Sequence, residues 1–472
     1  MKMLTCSRLS SFWVIFPKNM LIQGVLLLVF GVISLSVQGQ NLHIKEATAI
    51  QENPAINLAA TQLPSQVTVP KKSSWINNAF DWYQKKSIQG DFQIHGFIGQ
   101  SYILSSHNNV FGHSTSGAGG SFGLTEAGLN ASFRPLPKLL ISAQVLSRRA
   151  GEGSSGMPRL DFAFLDYRLY SHEANQFGIR AGRLKNPIGF YNDTRDVPFT
   201  RPSILLPQSI YFDRTRNLAM SGDSIQLYGD VSHSKWGSLS AQFGVWWPIV
   251  NDRDTEKAVF FPGMNGNLTR EVSYIGRGIY ETNDKRIRLG ISGIWLNTNY
   301  DVNNPDERVF GLPVSSGSLQ FSPIYFSAQY NAEKWSFTTE YAIRHFAYSG
   351  FRHDTIDKTN FFGESFYVQG EYRITPKWET FIRYDVLFTD RNDKNGKKWA
   401  SQDPANLGGL EHSRYAKDLT VGLRWNVTPE FMVRAEYHHV NGTGWLSRLD
   451  NPVLKQSDKD WDLFAIQASY RF

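Results

Sequence analysis

Asp462-Leu463-Phe464-Ala465-Ile466-Gln467-Ala468-Ser469-Tyr470-Arg471-Phe472 closes the chain in strict alternation. Phe464, Ile466, Ala468, Tyr470 and Phe472 fall on one face. Leu463, Ala465, Gln467, Ser469 and Arg471 fall on the other, which turns polar towards the end. Period two marks a strand, because successive side chains of an extended chain point to opposite faces. The stretch therefore predicts a terminal strand with one apolar face and an aromatic last residue.

The same pattern runs back to Asp91. Alternating segments of about ten to fourteen residues meet short turns and long polar loops in turn. Their centres lie near Ile98, Leu129, Ala143, Leu165, Arg180, Leu227, Phe243, Ile275, Ile291, Phe326, Tyr341, Val368, Ile382, Val421, Ala435 and Ile466. About sixteen strands are expected, or eighteen if one loop hides a hairpin. Turns at 135–139, 234–237, 332–335, 375–378 and 428–431 each place a Pro or charged residue before a bulky apolar one. Two more tight turns are expected near 171–176 and 283–285. Loops such as 105–119, 150–158, 248–265, 301–316, 350–363, 390–413 and 443–459 are rich in Gly, Asn, Asp and Ser. Short turns on one side and long loops on the other is the asymmetry of a transmembrane β-barrel, and an even strand count puts both ends on one side.

The two faces differ in chemistry. On the later strands one face carries Trp335, Phe337, Tyr341, Phe366, Val368, Ile382, Tyr384, Leu419, Val421, Trp425, Val433 and Tyr437. The opposite face carries Glu340, Arg344, Gln369, Glu371, Arg373, Glu379, Arg383, Asp385, Arg424, Arg434 and Glu436. In a soluble β-sandwich that charged face would meet bulk water; in a barrel it lines a lumen. The aromatic flanks of the apolar face favour the lumen, since amphipathic rings suit the headgroup level. We assign Arg180, Glu340, Arg344, Glu371, Arg373, Arg383, Asp385, Arg424, Arg434 and Glu436 to a pore wall. They form either a charged wall that orients solutes or a salt-bridge lattice that stiffens the barrel.

The N-terminus sets the expected compartment. Lys2, Arg8 and Lys18 precede an apolar run over 20–37, and Val37-Gln38-Gly39 suits cleavage after Gly39. We read 1–39 as a signal peptide, the alternative being an uncleaved anchor, with Met3 or Met20 as other possible starts. Residues 40–90 read as a polar periplasmic extension. Trp75, Ala79 and Trp82 or Tyr83 stand there at helical spacing, which leaves a short amphipathic turn or two and a disordered linker as equal readings. Residues 91–472 read as the barrel. The single cysteine, Cys6, lies in the segment to be removed, so no disulfide and no thiolate metal site is expected. Aromatic residues are 14% of the chain, yet mean hydropathy is negative, as when only alternate residues meet lipid. The net charge of +7, with three bases in the presumed signal, is too mild to argue for nucleic acid.

After the fifth strand the alternation stops. Residues 182–216 run for over thirty positions rich in Ile, Leu, Phe, Tyr and Pro. Apolar loops of that length pack against something. Arg183, Lys185, Arg195, Arg201, Arg214 and Arg216 stand against Asp193, Asp196 and Asp213. Surplus arginine at a narrow point focuses positive potential and favours anions; alternatively these forks pair with the acids and fix the loop.

With this strand count, this long loop after the fifth strand and the terminal Phe472, the region 91–472 resembles the trimeric porins of Gram-negative bacteria. The stretch Thr194-Arg195-Asp196 with Arg201-Pro202 is similar to that of phosphate-selective and related substrate-biased porins. The resemblance implies an all-β transmembrane antiparallel barrel whose third long loop folds inward as a constriction. Lys185, Asp193, Arg195, Asp196, Arg201, Asp213, Arg214 and Arg216 would then form that constriction. It also implies a homotrimer in outer-membrane lipid that passes small hydrophilic solutes or anions without cofactor or metal. Phe472 would be the signal read by the barrel assembly machinery. The extension departs from the simplest porins, which begin almost at the first strand.

Two other function classes stand beside this one. An outer-membrane hydrolase would need a nucleophile elbow or a zinc-type His-Glu spacing, and neither is present. His438 and His439 are adjacent on a strand, so their rings point to opposite faces. A non-conducting adhesin or structural barrel would require a plugged lumen.

Overall fold

The computed structural model describes residues 91–250, 253–261, 263–402 and 410–472. The expected signal peptide (1–39) and extension (40–90), with its helical turn, lie outside the described residues. Sixteen long strands account for most of the rest: β1 (Phe92–Ser105), β2 (Ser121–Leu136), β3 (Leu139–Ala150), β4 (Arg159–His172), β5 (Asn175–Lys185), β6 (Ser221–His233), β7 (Gly237–Pro248), β8 (Ser273–Glu281), β9 (Ile287–Asp301), β10 (Gly317–Asn331), β11 (Trp335–Ser349), β12 (Asn360–Arg373), β13 (Trp378–Phe388), β14 (Tyr415–Asn426), β15 (Phe431–Gly442) and β16 (Asp460–Arg471). Every strand centre read from the sequence falls inside one of them.

Each strand pairs antiparallel with its neighbour in sequence. β16 then pairs with β1 from Phe97↔Arg471 to Ser105↔Leu463, and the sheet closes on itself. Closure leaves no free edge. The loop between β9 and β10 does hide a hairpin, Arg308–Val309 with Leu312–Pro313, but it pairs only within itself. The barrel count is therefore sixteen rather than eighteen. The turns at β4–β5 and β8–β9 are as short as expected. At the β6–β7 turn Gly237 has φ +92°, and a Cβ there would meet the Glu281 carbonyl oxygen at 2.2 Å.

The two faces separate as the alternation requires. Ile98, Leu129, Leu165, Ile291, Ile382, Val421, Ile466 and Tyr470 are exposed. Glu340, Arg344, Gln369, Arg383, Asp385, Arg434, Glu436, Gln467 and Ser469 are buried. In a closed single-layer sheet the exposed apolar side is the outside, and the buried polar side looks inward. Trp378 and Trp425 stack at 5.1 Å beside the short turns, and Tyr330 meets Trp335 there at 5.1 Å.

The buried hydrophobic residues form two clusters, and both include residues of the segment 186–220 between β5 and β6. Ile188, Phe190, Leu206, Ile210 and Tyr211 pack with Trp246, Ile275, Ile294, Tyr325 and Tyr367. Ile204 and Leu205 pack with Ile103, Leu124, Val440, Leu463 and Ala465. This explains why Leu463 and Ala465 sit on the otherwise polar side of the last strand: they are covered by Ile204 and Leu205.

Candidate functional site

Pro187, Pro198, Pro202 and Pro207 punctuate the segment 186–220. Each fixes φ and removes a backbone donor, so no regular strand can run through it. What forms instead is two 3-10 turns, Asn192–Thr194 and Pro198–Thr200, and a short helix, Arg216–Met220. Irregular buried backbone must find hydrogen-bond partners outside itself. Here the inward-facing side chains of β11–β15 supply many of them.

Glu436 on β15 accepts the N–H groups of Ile204 at 2.7 Å and Leu205 at 2.8 Å. Arg434 donates to the carbonyls of Arg201 at 3.0 Å and Ser203 at 2.7 Å, and to the Gln467 side chain. Arg383 on β13 donates to the Leu205 carbonyl at 3.1 Å and the Ser203 hydroxyl at 3.0 Å. Asp385 accepts from the Ser209 N–H at 3.2 Å, and Arg344 on β11 donates to the Ser209 carbonyl at 3.4 Å. Glu340 accepts from the Tyr211 hydroxyl (2.6 Å), the Phe190 N–H (3.0 Å), Ser327 (2.5 Å) and Tyr367 (2.9 Å). Six of the ten expected wall residues thus grip one segment. Their partners include main-chain groups of the segment and neighbouring wall side chains such as Gln369, Thr420, Gln467 and His438.

Of the other four wall residues, Arg424 also reaches the segment, donating to the Phe199 carbonyl at 3.5 Å. Arg180 pairs with Asp166 at 2.9 Å and lies 4.1 Å from the Tyr228 ring centre. Glu371 accepts from Gln369 at 2.7 Å. Arg373 closes the β10–β11 turn through the carbonyls of Ala332, Glu333 and Trp335. Arg424 donates to Asn426 at 3.0 Å.

The charges of the segment itself meet a second group of strands. One terminal nitrogen of Arg148 on β3 donates to both carboxylate oxygens of Asp213, at 2.9 and 2.7 Å. Arg195 at 3.6 Å and Arg216 at 3.8 Å flank the same carboxylate. Asp196 takes Lys185 and Arg216, and Lys185 also reaches Asp161 on β4 at 2.6 Å. Glu126 on β2 pairs with Arg201 at 2.5 Å and Arg148 at 3.3 Å. Asp193 pairs with Arg277 on β8 at 2.6 Å. Arg214 lies 5.6 Å from the centre of the Phe212 ring. Burial, with neighbouring arginines adding to it, pushes the Arg195 guanidinium down to about 10 and Arg216 well below its ordinary value, and the nearby carboxylates offset this only in part. Within this network five bases (Arg148, Lys185, Arg195, Arg201, Arg216) face four acids (Glu126, Asp161, Asp196, Asp213), so its field is nearly compensated.

The sequence did not point to Glu126, Arg148, Asp161 or Arg277, because alternation assigns a face but not the partner across the barrel. Of His438 it told only that its ring points to the opposite face from that of His439. His438 is buried, with Nδ1 2.8 Å from Asp418 and Nε2 3.1 Å from Glu436. His439 points the other way and is exposed against Asp462 at 2.8 Å. Phe472 pairs its backbone with Gly96 of β1 at 3.0 and 3.1 Å while its ring remains exposed.

The family model described as phosphate-selective porin O and P matches residues 143–472. None of the curated proteins compared matches the chain. Among solved structures, the chain is similar to outer-membrane expressed OmpT of Vibrio cholerae at 10% identity, covering 81% of this chain and 97% of that one, with a TM-score of 0.50. The outer membrane channel DcaP of Acinetobacter baumannii has 10% identity over the same shares and a TM-score of 0.49. An anion-selective porin from Comamonas acidovorans has 10% identity, shares of 80% and 98%, and a TM-score of 0.46. At such identity the likeness to OmpT speaks to the barrel fold alone.

Proposed function

Because the chain belongs to the family of phosphate-selective porins O and P, an outer-membrane channel for small solutes, we propose that it conducts passively, with a mild anion preference, and that the segment 186–220 forms its constriction. The observation that carries this reading is the attachment of that segment to inward-facing Glu436, Arg434, Arg383, Asp385, Arg344 and Glu340. A chain held on the inner wall of a closed barrel narrows whatever path the barrel encloses. Lys185, Asp193, Arg195, Asp196, Arg201, Asp213, Arg214 and Arg216 are its charged residues. Because most of these charges are paired, the preference is weak.

Residues 1–39 act as a cleaved signal peptide, and 40–90 as a periplasmic extension. The exposed apolar face meets outer-membrane lipid, the barrels assemble as homotrimers, and Phe472 is read by the assembly machinery. The protein is no enzyme and needs neither cofactor nor metal. A second reading, a non-conducting barrel, draws on the near-complete burial of Glu340 (0%), Arg383 (1%) and Arg434 (2%) beneath the segment.

Planar-bilayer recording separates the two. The porin gives discrete conductance steps and a reversal potential under a salt gradient displaced towards anions. The double variant Arg195→Ala with Arg201→Ala lowers the anion-to-cation ratio. An unchanged ratio removes those two side chains from selectivity, and a silent bilayer favours the structural barrel.

A further inference from the structure

Above the end of the segment lies a cavity of about 250 Å³. That exceeds the ~150 Å³ that holds a benzene molecule and approaches the ~300 Å³ lower bound of ordinary ligand pockets. It is built where the segment residues 212–218, the loop ends of β9–β13 and the loops near Trp399 and Thr443 converge, on the long-loop side of the barrel. Its wall has two chemistries. Arg214, Arg344, Arg414 and Arg448 line it, and among the described lining residues no Asp or Glu does. Most of the remaining lining is aromatic or aliphatic.

The rings form a connected surface. Phe346 lies 4.5 Å from Phe321 and stacks on Phe361 at 5.3 Å. Arg414 sits 4.3 Å from the Trp399 ring centre and 5.7 Å from Phe361; Arg344 sits 4.8 Å from Phe212. Among the described residues neither Arg344 nor Arg414 forms an ion pair, and the Arg344 fork reaches only the carbonyls of Ser209 and Phe388. Burial lowers Arg414 to about 10 and depresses Arg448 as well. Cations held in such surroundings gain from a carboxylate that replaces lost water.

We propose that this cavity binds small carboxylates with an apolar, above all aromatic, body. The guanidinium fork matches a planar carboxylate, and the rings cover the body that a wholly hydrated anion would leave in poor contact. The proposal rests on the porin reading for its place on the solute path, and Arg344 joins the two, touching both the cavity and Ser209 of the segment.

The test is calorimetric titration of benzoate, phosphate and benzamide into the detergent-solubilised full chain, with tryptophan fluorescence as a second readout. Benzoate is expected to bind at least about tenfold more tightly than either comparison compound. Arg414→Gln and Trp399→Leu, each checked for folding by heat-modifiable gel mobility, should each weaken benzoate by about tenfold. Phosphate or benzamide binding as well as benzoate overturns the proposal, as does undiminished benzoate affinity in both folded variants. If neither variant folds, the wild-type order of the three compounds decides. Bilayer conductance is recorded separately, so a protein that binds benzoate but does not conduct defeats the porin reading alone, and one that conducts without binding defeats only this proposal.

Discussion

Arg434 donates to the carbonyl of Ser203 at 2.7 Å, a bond between residues 231 positions apart. A buried guanidinium on the barrel wall thus donates to main-chain carbonyls and to a neighbouring amide, Gln467. The same logic repeats at Arg383 and Leu205, and with reversed polarity at Glu436 and Ile204. The wall charges are therefore read best as clamps on the segment between β5 and β6.

Glu436→Gln should loosen that clamp. It replaces a charged acceptor of two buried N–H groups, a loss of about 2–3 kcal/mol for such charge-assisted bonds. Single-channel conductance should rise and the heat-modification temperature should fall. An unchanged conductance would mean that the segment does not limit the current.

Glu126→Gln should strengthen anion preference. Glu126 is the carboxylate between Arg148 and Arg201, and its neutralisation leaves their charge less compensated. The reversal potential should move further towards anions at low salt. The difference should shrink at about 1 M salt, where the Debye length is near 3 Å.

Gly96→Val should impair closure of the barrel. A Cβ at Gly96 would lie 2.3 Å from the Phe472 ring, so the ring must leave the seam between β1 and β16. A smaller folded fraction on unheated gels is expected, with Ala at the same position milder than Val.

Asp450 predicts a pH effect in the long loops. Its carboxylate accepts from the N–H groups of Gly112 at 3.1 Å and Glu152 at 2.9 Å. Burial raises its pKa, and nearby Glu152 adds to the effect. A raised folded-state pKa means that its stabilising contribution is complete below the ordinary carboxylate range and declines as pH rises through the folded value. Protease resistance of these loops should thus be greater at mildly acidic than at neutral pH, and Asp450→Asn should flatten the difference.

Much of this fold was legible because a barrel writes itself locally. Strands centred on Ile98, Leu129 and Ile466 announce themselves by alternation, and Phe464, Ile466 and Tyr470 reveal the outer face without any partner in view. The site was legible only in outline. The apolar run through Ile204, Leu205 and Leu206 signalled that the segment must pack on something. That its backbone would be held by Arg383, Arg434 and Glu436 could not be read, because those contacts join positions far apart and depend on how the cylinder closes. Glu126 and Arg148 escaped for the same reason: each looks like any polar residue of a two-faced strand until the opposite strands are in place.

The distance in sequence between Ser203 and Arg434 also makes the hold on the segment depend on the far end of the barrel. When β1–β6 alone have formed, the segment has none of its clamps, since Arg344, Arg383, Arg434 and Glu436 all belong to strands that come later. The segment can thus be locked in place only when those later strands have joined the sheet.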